Sequence, residues 1–182
     1  MTKWPRDLDV GKRMVEDQTL EQLLNAFSAV TNRTPTDEGT NGFPRMEGSP
    51  DYVLGFDGRA LGIELAEVRD VSDAWSYYEE ASRIANKKHT SYEKCGLFAN
   101  PIVLILHSAE PPLFDLQREL VHLESFVDFV DLDFIEVWGI DFSDDYYTPG
   151  HPYRMPDLFC FKPRSRFGFH RIEAFWDRKP FG

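Results

Sequence analysis

The sequence predicts an α/β fold: a mixed β-sheet flanked by α-helices. Three observations predict it. Two short apolar runs around Asp57-Gly58 read as a hairpin, because Asp-Gly is a strong tight-turn signal. The run "PIVLILH" at 101–107 is almost wholly apolar, as a strand covered on both faces must be. Between them lies a segment with the 3.6-residue period of a helix, so strand and helix patterns alternate along the chain.

Taken in order, residues 18–31 place Leu20, Leu23, Leu24, Phe27 and Val30 at helical spacing. Residues 32–50 are crowded with Gly, Pro, Thr and Asn and read as a long exposed loop. The hairpin strands are expected at about 51–56 and 60–68. After Ser72 or Asp73 as N-cap, 74–94 reads as a helix with an apolar stripe of Ala74, Tyr77, Tyr78, Ala81, Ile84 and Ala85. "PLFDLQRELVHLESF" reads as a further amphipathic helix, "DFIEVWGIDF" as a strand, and "DLFCF" with "FGFHRIEAFW" as a final strand pair. No domain boundary stands out, so 182 residues are expected to form one domain, 1–182, with a sizeable core.

The hairpin carries the chemistry. Side chains alternate across a strand, so Leu61, Ile63 and Leu65 share one face, and Gly62, Glu64, Ala66 and Val68 share the other. A carboxylate in mid-strand among small residues is costly unless it is paired or binds a metal. Asp51, at the mouth of the partner strand, is placed to lie near Glu64. Two carboxylates converging from adjacent strands suit Mg²⁺, which takes one or two carboxylates, waters and substrate phosphates. The competing reading is that Asp51 caps the turn after Pro50 while Glu64 pairs with a nearby base.

Pro50-Asp51 and then "IEL" at 63–65, with twelve residues between Asp51 and Glu64, resemble the PD-(D/E)XK nuclease superfamily. The resemblance covers about 18–107, with 110–182 as a C-terminal helix and strand extension, and implies a restriction-endonuclease-like fold. It further implies that Asp51 and Glu64 bind Mg²⁺ or Mn²⁺, with the backbone carbonyl of Leu65 as third ligand. A glutamate of the first helix, Glu16 or Glu21, joins them in some members. The departure is Ala66, which stands where the family has its lysine: "ELA" rather than "ELK". That lysine orients the attacking water and offsets charge at the phosphate, which an alanine cannot do.

Three explanations compete. The lysine has migrated to the next helix, where Lys88 continues the sheet-facing stripe of Ala81 and Ile84, with Lys87 and Lys94 as lesser choices. In that case Lys88, with Asp51 and Glu64, completes the catalytic set. Alternatively Glu67 substitutes, which requires a bulge. Or the site is inactive, and the chain is an acidic protein-binding module of inhibitor or immunity type on the same scaffold. A lysine close to Glu64 separates the first from the last.

The net charge of −11 argues against a general nucleic-acid coat. From Lys162 onward, however, six bases face two acids, leaving −15 on the rest. Lys162, Arg164 and Arg166, interleaved with Phe161, Phe167 and Phe169, are candidate nucleic-acid contacts, or else a turn whose aromatics belong to the core. A second Pro-Asp at 156–157, with Glu173 downstream, has no room for a following helix and strand. The five histidines are scattered; His89, beside Lys88, is the one placed to assist a proton transfer. Cys95 and Cys160 lack metal spacing and are expected to be buried free thiols, as in a cytoplasmic protein. No apolar run is long enough for a membrane span and the start lacks a signal-peptide pattern, so no membrane partner is expected.

Overall fold

The computed structural model describes residues 7–32, 49–56, 59–108, 119–120, 129–141 and 157–176. Helix α1 (Asp7–Thr31) precedes a hairpin of β1 (Tyr52–Phe56) and β2 (Arg59–Glu67). Helix α2 (Ala74–Lys94) follows, then β3 (Ile102–Ser108), β4 (Glu136–Asp141), β5 (Asp157–Lys162) and β6 (Gly168–Arg171). The strands form one six-stranded sheet in chain order. β2, β3 and β4 pair in parallel, and β1, β5 and β6 add antiparallel strands on either side. The expected α/β class with a mixed sheet is observed. The 32–50 loop (apart from its ends), the Asp57-Gly58 tip and all but 119–120 of the helix expected near 112–126 lie outside the described residues.

Two cores, one on each face of the sheet, follow from the alternation along β2. Leu61, Ile63 and Leu65 pack with Leu23, Ala26 and Phe27 of α1. Ala66 and Val68 pack on the other face with Tyr77, Tyr78, Ala81 and Ala85 of α2. A parallel pair needs a crossover, and α2 supplies it between β2 and β3. β3 is buried along its whole length, as its apolar run requires.

α2 begins at Asp73, whose side chain accepts from Ser76 N at 2.8 Å while Ser76 Oγ accepts from Asp73 N at 3.1 Å. This reciprocal cap holds the Asp73 carboxyl below its ordinary range, chiefly through the backbone N–H of Ser76.

Three expectations change. Val30 is exposed, because the buried line of α1 runs through Thr19, Leu23, Ala26 and Phe27 instead. The last strand stops at Arg171 and gives way to a short 3-10 turn, Ile172–Phe175. That turn brings Trp176 back to α1, where its indole Nε1 donates to Leu23 O at 2.7 Å and its ring meets Phe27 edge-on. Cys95 is exposed rather than buried, since it caps the end of α2 before Gly96 at φ +67°. Cys160 is buried as expected. Among the described residues no helix is long and apolar enough to cross a membrane.

Candidate functional site

The site grows from the hairpin register. Tyr52 pairs with Ile63, so Asp51, one residue before β1, lies at the position opposite Glu64. Asp51 is exposed, and its Oδ2 accepts from the Leu65 backbone N at 2.9 Å. The backbone N–H and C=O of one strand residue point to the same edge. Val68 N donates to His107 O of β3, which directs the even positions of β2 toward β3 and the odd ones toward β1. The Leu65 carbonyl therefore lies on the Asp51 side, beyond the last β1 pair.

Glu64 points to the α2 face, between Gly62 and Ala66, and is only 2% exposed. Small neighbours give its carboxylate room, and α2 fills that room with polar partners. Lys88 Nζ donates to Glu64 Oε1, and Tyr92 OH donates to Glu64 Oε2. Lys88 follows Ala81 and Ala85, and Tyr92 lies one turn further on, so one helix stripe changes from apolar to polar where it crosses Glu64. The Lys88 side chain remains 38% exposed, so the pair joins the interior to solvent.

The electrostatics are opposed. Burial raises the Glu64 pKa most and the Asp51 charge raises it further, while Lys88 and the Tyr92 hydroxyl pull it back; the net direction is upward. The Tyr92 phenol is pushed well above its ordinary value by burial and by Glu64, so it stays protonated and remains a donor.

The structure places Asp51 opposite Glu64 across the hairpin and Lys88 against Glu64 from α2. Lys87 is exposed and lines a groove beside Lys88, and Glu67 pairs with Arg69 instead of facing Glu64. The bulge that a Glu67 substitution would need is absent from the regular β1–β2 and β2–β3 registers. From α1 it is Asp17 that reaches the hairpin, accepting from Tyr52 OH at 3.1 Å. Burial, Asp17 and the charges of Glu16 and Asp51 together raise the Tyr52 phenol to about 12. Glu21 is exposed. His89 contacts Asp133 at 3.1 Å and packs against Phe98.

Tyr92 and Asp17 were missed by sequence reasoning. The signal for Tyr92 was its place four residues after Lys88; Asp17 gave none, because its partner is 35 residues away.

The basic turn near the C-terminus is largely committed to the interior. Lys162 Nζ donates to Leu132 O, and burial lowers the lysine pKa. Arg166 is 6% exposed, donates to Ala174 O, pairs with Glu136 at 3.4 Å and lies over the Trp138 ring at 4.8 Å. Of the three candidate nucleic-acid contacts only Arg164 is exposed. Phe161 is buried, and Phe167 and Phe169 pack edge-on against Phe159, which makes these aromatics core.

Asp51, Glu64 and the Leu65 carbonyl offer hard oxygen donors of the kind Mg²⁺ and Mn²⁺ take. Among the described residues there is no group of three or more His, Cys, Asp or Glu side chains that could hold a metal ion. A cation here would rely on two carboxylates and a carbonyl, completed by water or substrate. No protein-family model matches this chain, and neither a curated protein nor a solved structure matches it.

Proposed function

We propose that this chain is a metal-dependent nuclease-like protein of the PD-(D/E)XK type, hydrolysing phosphodiester bonds of nucleic acid, with Lys88 in place of the lysine that Ala66 lacks. The observation that carries the reading is the contact of Lys88 with Glu64 from the helix after the hairpin. The order α1, hairpin, α2, β3 supports it as the restriction-endonuclease-like arrangement that the resemblance implies.

Asp51, Glu64 and the Leu65 carbonyl would hold Mg²⁺ or Mn²⁺, which when bound supplies Lewis-acid polarisation of a phosphoryl oxygen and a more acidic water. The chain's own groups do the rest. Lys88 has three N–H donors; one meets Glu64, and the others are available to orient a water and to offset charge developing on the phosphate. Tyr92 fixes the second Glu64 oxygen, so the carboxylate is oriented before anything binds.

A second reading has its own support. Both Glu64 oxygens already have donors, so the buried network is complete without a ligand. On that reading the scaffold is inactive, and the acidic surface of a chain with net charge −11 engages a basic protein partner.

Calorimetric titration with Mn²⁺, followed by incubation with labelled oligonucleotides, tests the choice. The nuclease reading expects binding that vanishes in Asp51→Ala/Glu64→Gln, and cleavage that falls at least about a hundredfold in Lys88→Ala, the scale of a lost positioned proton-transfer group. Metal binding by neither protein, with no cleavage by the parent, selects the protein-binding module.

A further inference from the structure

A groove of about 470 Å³ opens beside Lys88, between α2 and the end of β2. α2 presents Arg83, Lys87 and Ser91 to it at i, i+4 and i+8, a single helix stripe, and Glu67 and Arg69 line it from the strand side. Among the described residues four cations line it; Arg69, Arg83 and Lys88 are paired with Glu67, Glu80 and Glu64, and Lys87 adds a further positive charge beside them, on a chain whose net charge is −11. Guanidinium and ammonium groups gathered along one groove of an acidic chain mark a place for an anion.

The groups suit phosphate. Arg69 is held by Glu67, and Arg83 by Glu80 with its Nε at 2.7 Å. A guanidinium has five N–H donors, so each arginine is pre-oriented and keeps donors for a second acceptor. Lys87 is exposed and pairs with no acid among the described residues. Among the described residues no aromatic ring lines the groove, so it offers a hold on a backbone rather than on bases.

We infer that this groove is the track of a single-stranded phosphodiester chain, held by Arg69, Arg83 and Lys87 and led to the Lys88–Glu64 pair. The choice of a nucleic-acid phosphate over another anion rests on the nuclease reading above. The preference for one strand follows from charge. A duplex carries a phosphate charge about every 1.7 Å of axis against about 3.4 Å for one strand. Along α2 the groove's cations run only from Arg83 to Lys88, about 7.5 Å of helix. Beyond it a duplex, with twice the charge density along its axis, would meet a chain whose net charge is −11. The substrate grip thus lies on α2, not on the turn at Arg164.

Fluorescence anisotropy with a labelled 12-nucleotide oligo-dT, and with a 12-base-pair duplex, tests this in EDTA, where neither metal nor cleavage contributes. The parent is expected to bind the single strand about tenfold or more tighter than the duplex. Arg83→Ala/Lys87→Ala, both exposed positions, should lose about tenfold and reduce the slope of log K against log salt by about 1.4, two contacts at about 0.7 each. Arg171→Ala should leave binding unchanged. The inference is overturned if the parent does not bind, if the duplex binds as tightly, or if Arg164→Ala and not the groove variant weakens binding. Adding Mn²⁺ separates the two ideas: groove-dependent binding without cleavage sinks the nuclease reading alone, and cleavage with unchanged affinity in the groove variant sinks the groove alone.

Discussion

Lys88 and Glu64 stand 24 residues apart in sequence and meet where α2 crosses β2. The carboxylate is 2% exposed and the lysine side chain 38%, so the two charges are desolvated unequally. Removing one partner of a fully buried pair costs about 3–5 kcal/mol. Solvent screening at Lys88 brings the expectation for Lys88→Met down to about 1–3 kcal/mol. Glu64→Gln alone should cost less, because an amide needs no counter-charge. In the double variant Glu64→Gln/Lys88→Met the losses should not add, with a coupling of about 1 kcal/mol or more in urea melts. Additive losses would mean that the contact contributes no stability.

The raised Glu64 pKa fixes the sign of a pH effect. The folded state holds this proton more tightly than the unfolded chain, whose glutamate titrates near 4.5. Glu64 therefore contributes stability that is fully present below about pH 4.5 and is lost as pH rises through the raised folded value. Relative to Glu64→Gln, the parent should lose stability over that window, by up to about 1.4 kcal/mol per pH unit, and run parallel above it. Urea midpoints of both proteins from pH 4 to 8 give the difference directly. A parent that gains stability relative to the variant as pH rises would show that Lys88 and Tyr92 outweigh burial.

Tyr92→Phe isolates one hydroxyl. The ring contacts with Phe98 and Phe134 remain, at 5.9 and 6.0 Å between centroids, while Glu64 Oε2 loses its donor. A buried acceptor left without a partner costs about 1–3 kcal/mol. Because that hydrogen bond also lowers the Glu64 pKa, the pH window above should extend upward in the variant. An unchanged urea midpoint and an unchanged pH profile would together show that the hydroxyl does not hold the carboxylate.

Much of this site was legible because it is local. Alternation put Glu64 on the face of Gly62 and Ala66, the length of the hairpin put Asp51 near it, and helical period put Lys88 in line with Ala81. What sequence could not give was the distance closed by the 68–73 segment, which decides whether the second half of α2 returns over β2. The C-terminal turn was misleading for a related reason. Bases among aromatics look like a binding surface until tertiary contacts reveal which face is inside. The acids and carbonyls that absorb Lys162 and Arg166 come from elements about 30 residues earlier or from a turn whose shape no pattern announced.

The two thiols should differ sharply. Cys95 is exposed at the end of α2. Cys160 is buried, its Sγ donates to Lys162 O at 3.2 Å, and burial with the Glu136 charge pushes its pKa up to about 12. Since the thiolate is the reactive form, a thiol reagent at pH 8 should titrate one group in the native protein and two in denaturant. Cys95→Ser should abolish the native reaction. Fast labelling of Cys160 in that variant would mean that the β5 region opens readily.

Arg164 and Arg166 are two residues apart and should behave as different kinds of residue. Arg164 is exposed, so Arg164→Ala should change stability by less than about 0.5 kcal/mol. Arg166→Ala removes a guanidinium that donates to Ala174 O, pairs with Glu136 and covers the Trp138 ring. Glu136 would retain its hydrogen bond from Trp138 Nε1 at 2.7 Å but lose its cation, and the turn carrying Phe175 and Trp176 would lose its tie to β4. The expected cost is about 3 kcal/mol, at the low end for breaking a buried ion pair. Arg166→Lys should recover little, because an ammonium cannot reproduce the planar fork that serves a carbonyl and a carboxylate together. Chemical denaturation of the three variants decides the matter. Equal stability of Arg166→Ala and the parent would return Arg166 to the surface and reopen the C-terminal turn as a binding element.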